Sequence, residues 1–159
     1  MKITILSIGK LKEKYLQEGV GEYLKRLTPF AKVSIVELAE ERMPQDFSDG
    51  EKNQVLQKET QRILAAIPDD AYVFLLDLKG KEISSPELAK MFLELPLAGK
   101  SHWCFIIGGA FGYTDELRKK ADFRWSFSPL TFTHQMIRML LLEQIYRAFK
   151  ISRGEKYHW

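Results

Sequence analysis

The sequence predicts an α/β protein: a mainly parallel sheet flanked by helices. Three observations lead there. Short β-branched or aromatic apolar runs alternate with stretches of helical period along the whole chain, the pattern of strand–helix–strand units. Two of the runs, "YVFLLDL" (72–78) and "HWCFIIG" (102–108), are apolar almost throughout, as strands covered on both faces must be. No internal repeat, low-complexity tract or linker divides the chain, so residues 1–159 are expected to form a single domain.

In order, "KITILSI" (2–8) alternates and is β-branched, which predicts a first strand. "LKEKYLQEGVGEYLKRL" (11–27) follows at helical spacing, with Leu16, Val20, Tyr23, Leu24 and Leu27 on one side. Pro29 closes that unit and "KVSIVEL" (32–38) is a second strand. The polar, turn-rich stretch 39–53 reads as an exposed loop leading into a helix at about 50–66. After the strand at 72–78, "KGKE" reads as a turn, and "SSPELAKMFLEL" (84–95) opens with Ser-x-x-Glu and an early proline, both helix-start signals. The strand at 102–108 runs into a glycine cluster, a short helix from Thr114, a strand "FRWSFS" (123–128) and a last helix over 133–151.

Composition narrows the classes. No stretch approaches the roughly 18 uncharged apolar residues of a membrane span, and "MKITILSIGKLKEKYL" lacks a signal-peptide cleavage pattern. The one cysteine, Cys104, lies in an apolar run, so no intrachain disulfide forms and a cytoplasmic setting is expected. One cysteine and three scattered histidines give no metal-ligand spacing. The net charge of +3 is unevenly spread: residues 118–159 carry nine Lys/Arg against three acids, Asp122, Glu143 and Glu155. That basic end suits a polyanion, although solvation and local ion pairing explain it equally well.

In parallel sheets, ligands bind beyond the carboxyl ends of the strands. "LLDLKG", "IGGAFG" and "SFSPLTF" all fall at such ends, so one pocket is expected. The glycine stretch fits neither common phosphate fingerprint. A P-loop needs Lys-Ser/Thr after its last glycine, whereas Tyr113 follows Gly112; the dinucleotide motif needs Gly-x-Gly-x-x-Gly, and this is Gly-Gly-x-x-Gly. A turn that needs glycine for conformation alone is the competing account. "FSPLTF" offers free main-chain groups between two aromatics, a slot suited to an adenine ring without a triphosphate, as in S-adenosylmethionine.

With "IGGxxG", "SFSPLTF", "HQMIRMLLLEQIYRAFKI" and the terminal "RGEKYH", the chain resembles the ribosomal RNA large-subunit methyltransferase H family of the SPOUT class. The likeness runs the whole length, including the opening "ITILSIGKLKEKY", and is most specific over the last 55 residues. It implies an α/β fold with a C-terminal trefoil knot, a homodimer, and methyl transfer from S-adenosylmethionine to N3 of a pseudouridine in large-subunit rRNA of the assembled ribosome. Carried over by motif, the cofactor site is Leu76, Gly108 and Phe127, Ser128, Pro129, Leu130, Thr131 and Phe132, with Gly109 and Gly112 shaping the loop. Two positions depart from the family pattern: Thr133 stands where many relatives have proline, and Trp159 where many have a basic residue.

The last helix points to a dimer independently. His134, Gln135 and Arg138 fall on one side, while Glu143, Gln144, Arg147 and Lys150 fall nearly opposite, with "MLLL" between them. Either the helix is buried on all sides, or a symmetric partner covers one half of it. The second account predicts that Leu141→Glu dissociates a dimer. In it, the tail "RGEKYHW" crosses to the partner's pocket.

Proton removal from the imide N3 calls for a base that works near neutrality, which favours histidine as a residue type. His158 is the candidate base, with Arg153 on phosphate or the developing anion and Tyr157 on the base. His134, Arg138 and Lys156 join them as RNA contacts; His102 reads as structural. A non-catalytic rRNA-binding assembly factor that uses the basic tail alone remains the alternative.

Overall fold

The computed structural model describes residues 1–159. Its elements run β1 (Lys2–Ile8), α1 (Lys14–Leu27), β2 (Lys32–Leu38), α2 (Asp49–Ala66), β3 (Tyr72–Glu82), α3 (Ser85–Leu97), β4 (His102–Ile107), α4 (Asp115–Lys120), β5 (Phe123–Ser126) and α5 (Met136–Ser152). All pairings in the five-stranded sheet are parallel, in the order β2-β1-β4-β3-β5.

Period-two alternation sorts the strand side chains into two cores. Trp103, Phe105 and Ile107 of β4 join Ile3, Ile5 and Phe74 beneath α1, α3 and α5. Cys104 and Ile106 join Leu6, Ile8, Val73 and Leu75 beneath α2 and α4. All six residues of β4 are buried, which is why that run carries no polar partner face. Burial pushes the Cys104 thiol up to about 12, so it is inert packing.

The helix starts follow local chemistry. Ser84 and Glu87 form the full capping box that the sequence predicts, and Ser48 and Glu51 form a second. At α5 the departure from proline is harmless: Thr133 Oγ1 accepts the Met136 N–H at 3.1 Å.

Two expectations are corrected. "KGKE" is not a turn. β3 continues to Glu82, and both Leu76 and Lys81 lie opposite Trp125, so residues 77–80 bulge out of the ladder. Leu141, in the middle of α5, is not free to meet a second copy. α5 packs against both α1 and α3 on the sheet, and Leu141 is 0% exposed within the single chain. Phe149 anchors it, 5.3 Å from Phe30 and 5.2 Å from Phe92, which in turn lies 4.2 Å from Trp103.

Candidate cofactor and substrate cleft

At the carboxyl edge of the sheet a cleft of about 810 Å³ opens between the β3 bulge, the glycine loop after β4 and the chain between β5 and α5. That volume is within the ~300–1,000 Å³ range of small-molecule sites. Leu76, Gly108, Gly109, Gly112, Phe127, Leu130, Thr131 and Phe132, all expected there, line it. Ser128 and Pro129 do not. Ser128 closes its own turn, with its Oγ accepting the Leu130 N–H at 2.9 Å while its carbonyl accepts from Ser126 Oγ at 3.2 Å. Those two residues shape the wall without forming it.

The glycine loop has an internal explanation. A Cβ on Gly108 would lie 2.5 Å from the ring of Tyr113. The Gly108 N–H donates to Tyr113 Oη at 2.8 Å, and that hydroxyl lies 3.4 Å from the Ile106 carbonyl. Burial raises the Tyr113 phenol further above its ordinary value, so it stays neutral. Gly112 turns the chain at φ +81°. What approaches the backbone most closely is therefore the loop's own tyrosine, which locks the loop into the shape it offers the cleft.

A charged cluster at the rim escapes sequence reading. Asp77, 6% exposed, holds Arg118 Nε at 2.9 Å and Arg124 Nη2 at 2.9 Å, and accepts the Lys79 N–H at 3.1 Å. Burial alone would raise its pKa, but the Lys79 amide and both guanidinium groups outweigh it and hold the carboxyl below its usual range. The only signal in the sequence is a carboxylate inside an apolar strand. With Arg118 committed to Asp77, the cleft has no free arginine for a triphosphate. Its apolar walls, Leu76, Leu78, Phe127 and Ile137, and its main-chain groups suit an adenosyl group.

The candidate polar residues divide between the two ends of α5. His134 lines the cleft at the amino end, beside Gln135. At the carboxyl end only Tyr157 of the tail packs against the helix, and the rest of residues 153–159 is exposed. Tyr157 lies with its ring 4.8 Å from Arg147 and 4.9 Å from Tyr146, and its hydroxyl donates to Glu143 Oε1 at 3.2 Å. Burial and then Glu143 push the Tyr157 phenol up to about 12, which makes it a donor and not a base near neutrality. His158 is exposed, with Nδ1 3.3 Å from Arg147 Nη1; Arg153 lies over Phe30 at 4.4 Å, and Lys156 is exposed.

Arg138 is not an RNA contact. It is 1% exposed, bound to Glu37 at 2.7 Å and to the Gly9 carbonyl at 2.7 Å. His102 is structural, between Thr4 Oγ1 at 3.0 Å and Asp70 Oδ1 at 2.9 Å.

Fold and cleft together define an α/β protein with a cofactor-sized site at the carboxyl edge of a parallel sheet. A family model described as "Predicted SPOUT methyltransferase" matches residues 1–158, and the chain belongs to that family of methyltransferases. It is 51% identical over 158 residues to the "Ribosomal RNA large subunit methyltransferase H" of Carboxydothermus hydrogenoformans, covering 99% of both chains. The protein of the same name from Alkaliphilus oremlandii is likewise 51% identical over 158 residues, again with 99% of both chains covered. Among solved structures, a putative methylase family protein from Neisseria gonorrhoeae aligns with a TM-score of 0.50 at 10% identity, covering 91% of this chain and 80% of that one, a likeness of fold alone.

Proposed function

We propose that this chain is an rRNA methyltransferase that carries a methyl group from S-adenosylmethionine to N3 of a pseudouridine in the large-subunit rRNA of the assembled ribosome. It would act in the cytoplasm as a homodimer of single-domain subunits, each with its C-terminal segment knotted. The observation that carries the reading is the separation of the two halves of the site. The cleft lies at the amino end of α5, and the tail is fastened to the carboxyl end of the same 17-residue helix, about 25 Å away at the α-helical rise. One chain cannot close that gap, so a second copy brings its tail to the first one's cleft. The exposed rim, with Leu130 71% exposed, and the terminal Trp159, 94% exposed, offer apolar surface for that contact.

In this reading Leu76, Gly108, Phe127, Leu130, Thr131 and Phe132 hold the cofactor, and Gly109 and Gly112 shape its loop. When bound, S-adenosylmethionine supplies an electrophilic methyl group on a sulfonium sulfur. The protein's part is alignment. The partner's tail presents the base, with Tyr157 orienting the ring and Arg153 and Lys156 on phosphate. As N3 takes the methyl group and the donor's carbon–sulfur bond breaks to leave a neutral thioether, the N3–H proton would pass to Nδ1 of His158, which lies 3.3 Å from Arg147 Nη1 in the free chain and must leave it to act as the base. His134 touches the nucleotide from the cleft side.

The test is tritium transfer from methyl-labelled S-adenosylmethionine to intact ribosomes and to naked rRNA, with the labelled nucleoside identified by mass spectrometry. Label on pseudouridine N3 in intact ribosomes is expected. Ribosome binding with neither label nor saturable cofactor binding would instead make the chain an assembly factor.

A further inference from the structure

One part of the cleft mouth has no role in that scheme. The segment "GKLKE" (9–13) joins β1 to α1 and, with Lys14 at the first position of α1, leaves Lys10, Lys12 and Lys14 exposed beside the cleft, which Glu13, Tyr15 and Leu16 help to line. Its backbone is held from several sides. The Gly9 N–H donates to the Leu38 carbonyl at 2.8 Å, the Leu11 N–H to Glu37 Oε2 at 2.6 Å, and the Lys12 N–H to Gln135 Oε1 at 3.1 Å. Gln17 Nε2 donates to the Leu11 carbonyl at 2.7 Å. From below, Arg138 Nη2 donates to the carbonyls of Gly9 at 2.7 Å and Ile8 at 3.3 Å.

Burying a guanidinium is strongly unfavourable unless it is paired. Here its partners are Glu37 and the loop itself, so the buried cation fixes the loop that carries three exposed ones. Of the neighbouring acids, Glu37 is taken by Arg138 and the Leu11 N–H, while Glu13 and Glu40 are exposed and pair with none of the three lysines. Lys14 meets only Glu18, at 4.0 Å across open surface, and Lys10 and Lys12 have no carboxylate within salt-bridge distance. Fixed, unpaired ammonium groups around a cleft are what a polyanion's phosphates require.

We propose that the β1–α1 loop is a phosphate-binding strip for the RNA strand entering the cleft, with Lys10, Lys12 and Lys14 as contacts and Arg138 as the residue that positions the loop. The proposal rests on the reading of this chain as an rRNA methyltransferase.

The experiment compares two triple variants of the full chain. Lys10→Gln/Lys12→Gln/Lys14→Gln removes the strip. Lys2→Gln/Lys32→Gln/Lys100→Gln removes the same charge at the amino edge of the sheet, where Lys2 and Lys32 face each other across the first strand pair. Ribosome binding is measured by filter retention over a salt series, cofactor affinity by calorimetry, and KM and kcat by tritium transfer. The strip variant should bind ribosomes at least about tenfold more weakly and raise KM to match. Its salt slope should fall by about 2, the single-strand value for three lost phosphate contacts. Its kcat and cofactor affinity should stay within about twofold of the parent, as is usual for contacts that bind without reacting. Ribosome affinity and salt slope equal to those of the amino-edge variant would overturn the strip. If the parent transfers no methyl group, the functional reading falls, and the binding comparison still decides the strip. A folded Arg138→Lys variant should show the same KM rise with kcat kept; unchanged ribosome affinity there would remove Arg138 from the proposal.

Discussion

The two ends of α5 are built for different work. At its amino end the N-cap residue, Gln135, makes no capping bond, Thr133 Oγ1 accepts the Met136 N–H instead, and the end opens onto a cleft lined by His134, Gln135 and Ile137. Its carboxyl end is crowded: Glu143 binds Arg147 at 2.5 Å and Tyr157 at 3.2 Å, and Lys150 pairs with Glu155. One end faces a void with His134 on its wall, while the other gathers its charged groups into pairs and holds a histidine outward. In the proposed dimer the helix is then a spacer, whose buried core would keep a receiving end and a delivering end apart.

The comparison breaks most completely in mixed dimers. Truncation after Ser152 removes the delivering end, and Gly108→Val drives a side chain into Tyr113 and spoils the receiving end. Each variant alone should lose methyl transfer by at least about a hundredfold, the scale of losing alignment at a reacting centre. Their mixture should regain a substantial fraction, because one composite site in each mixed dimer is intact. No recovery in a mixture shown by sedimentation to contain mixed dimers would mean that each chain serves its own cleft.

Next in size is the spacer itself. Leu141→Glu places an unpaired carboxylate in the core, and should cost more than about 5 kcal/mol, beyond the ~2–5 kcal/mol of emptying a buried leucine site. Urea unfolding should show a collapse of monomer stability. A folded but monomeric variant would restore the middle of α5 as an interface.

The smallest effect concerns the cleft rim. Asp77 has its pKa depressed in the folded state, so its stabilising contribution is present above its unfolded value, near 4, and is lost as pH falls through the lower folded value. Asp77→Asn should therefore lower stability at neutral pH and flatten the loss of stability below about pH 4. Glu59, buried against the glycine loop, has its pKa raised, first by burial, so Glu59→Gln should act in the opposite sense, with its gain appearing as pH rises above the carboxylate range. Thermal melts across pH 2–8 separate the two. Parallel curves for the variants and the parent would remove both carboxylates from the balance.

How much was legible depended on whether a signal was local. The strands β1 and β4 are visible because burial fills them with apolar residues, and edge strand β2 because its exposed and half-buried residues largely alternate. The capping box at Ser84 is a four-residue pattern. The extension of β3 was hidden because Lys79-Gly80-Lys81 has turn chemistry, which pairing with β5 overrides. Arg138 falls among polar neighbours on the helix wheel and so looks superficial; its partners, Glu37 and Gly9, come from more than a hundred residues away. The convergence of three loops was readable from topology. The packing of Tyr157 beneath Arg147, which turns a basic tail into a platform, follows no period at all.

The pairing order of the sheet also governs how the chain is born. Lys2 of β1 lies opposite His102 of β4, so during synthesis β1 waits about a hundred residues for its second neighbour. At roughly 5–20 residues per second that is about 5–20 s. During that interval Ile3, Ile5, Leu6 and Ile8 are solvent-facing or chaperone-held. Such distant closure makes for slow maturation and a high risk of aggregation. The central strands of the sheet thus meet only late in synthesis, after β1 has spent the interval without its β4 neighbour.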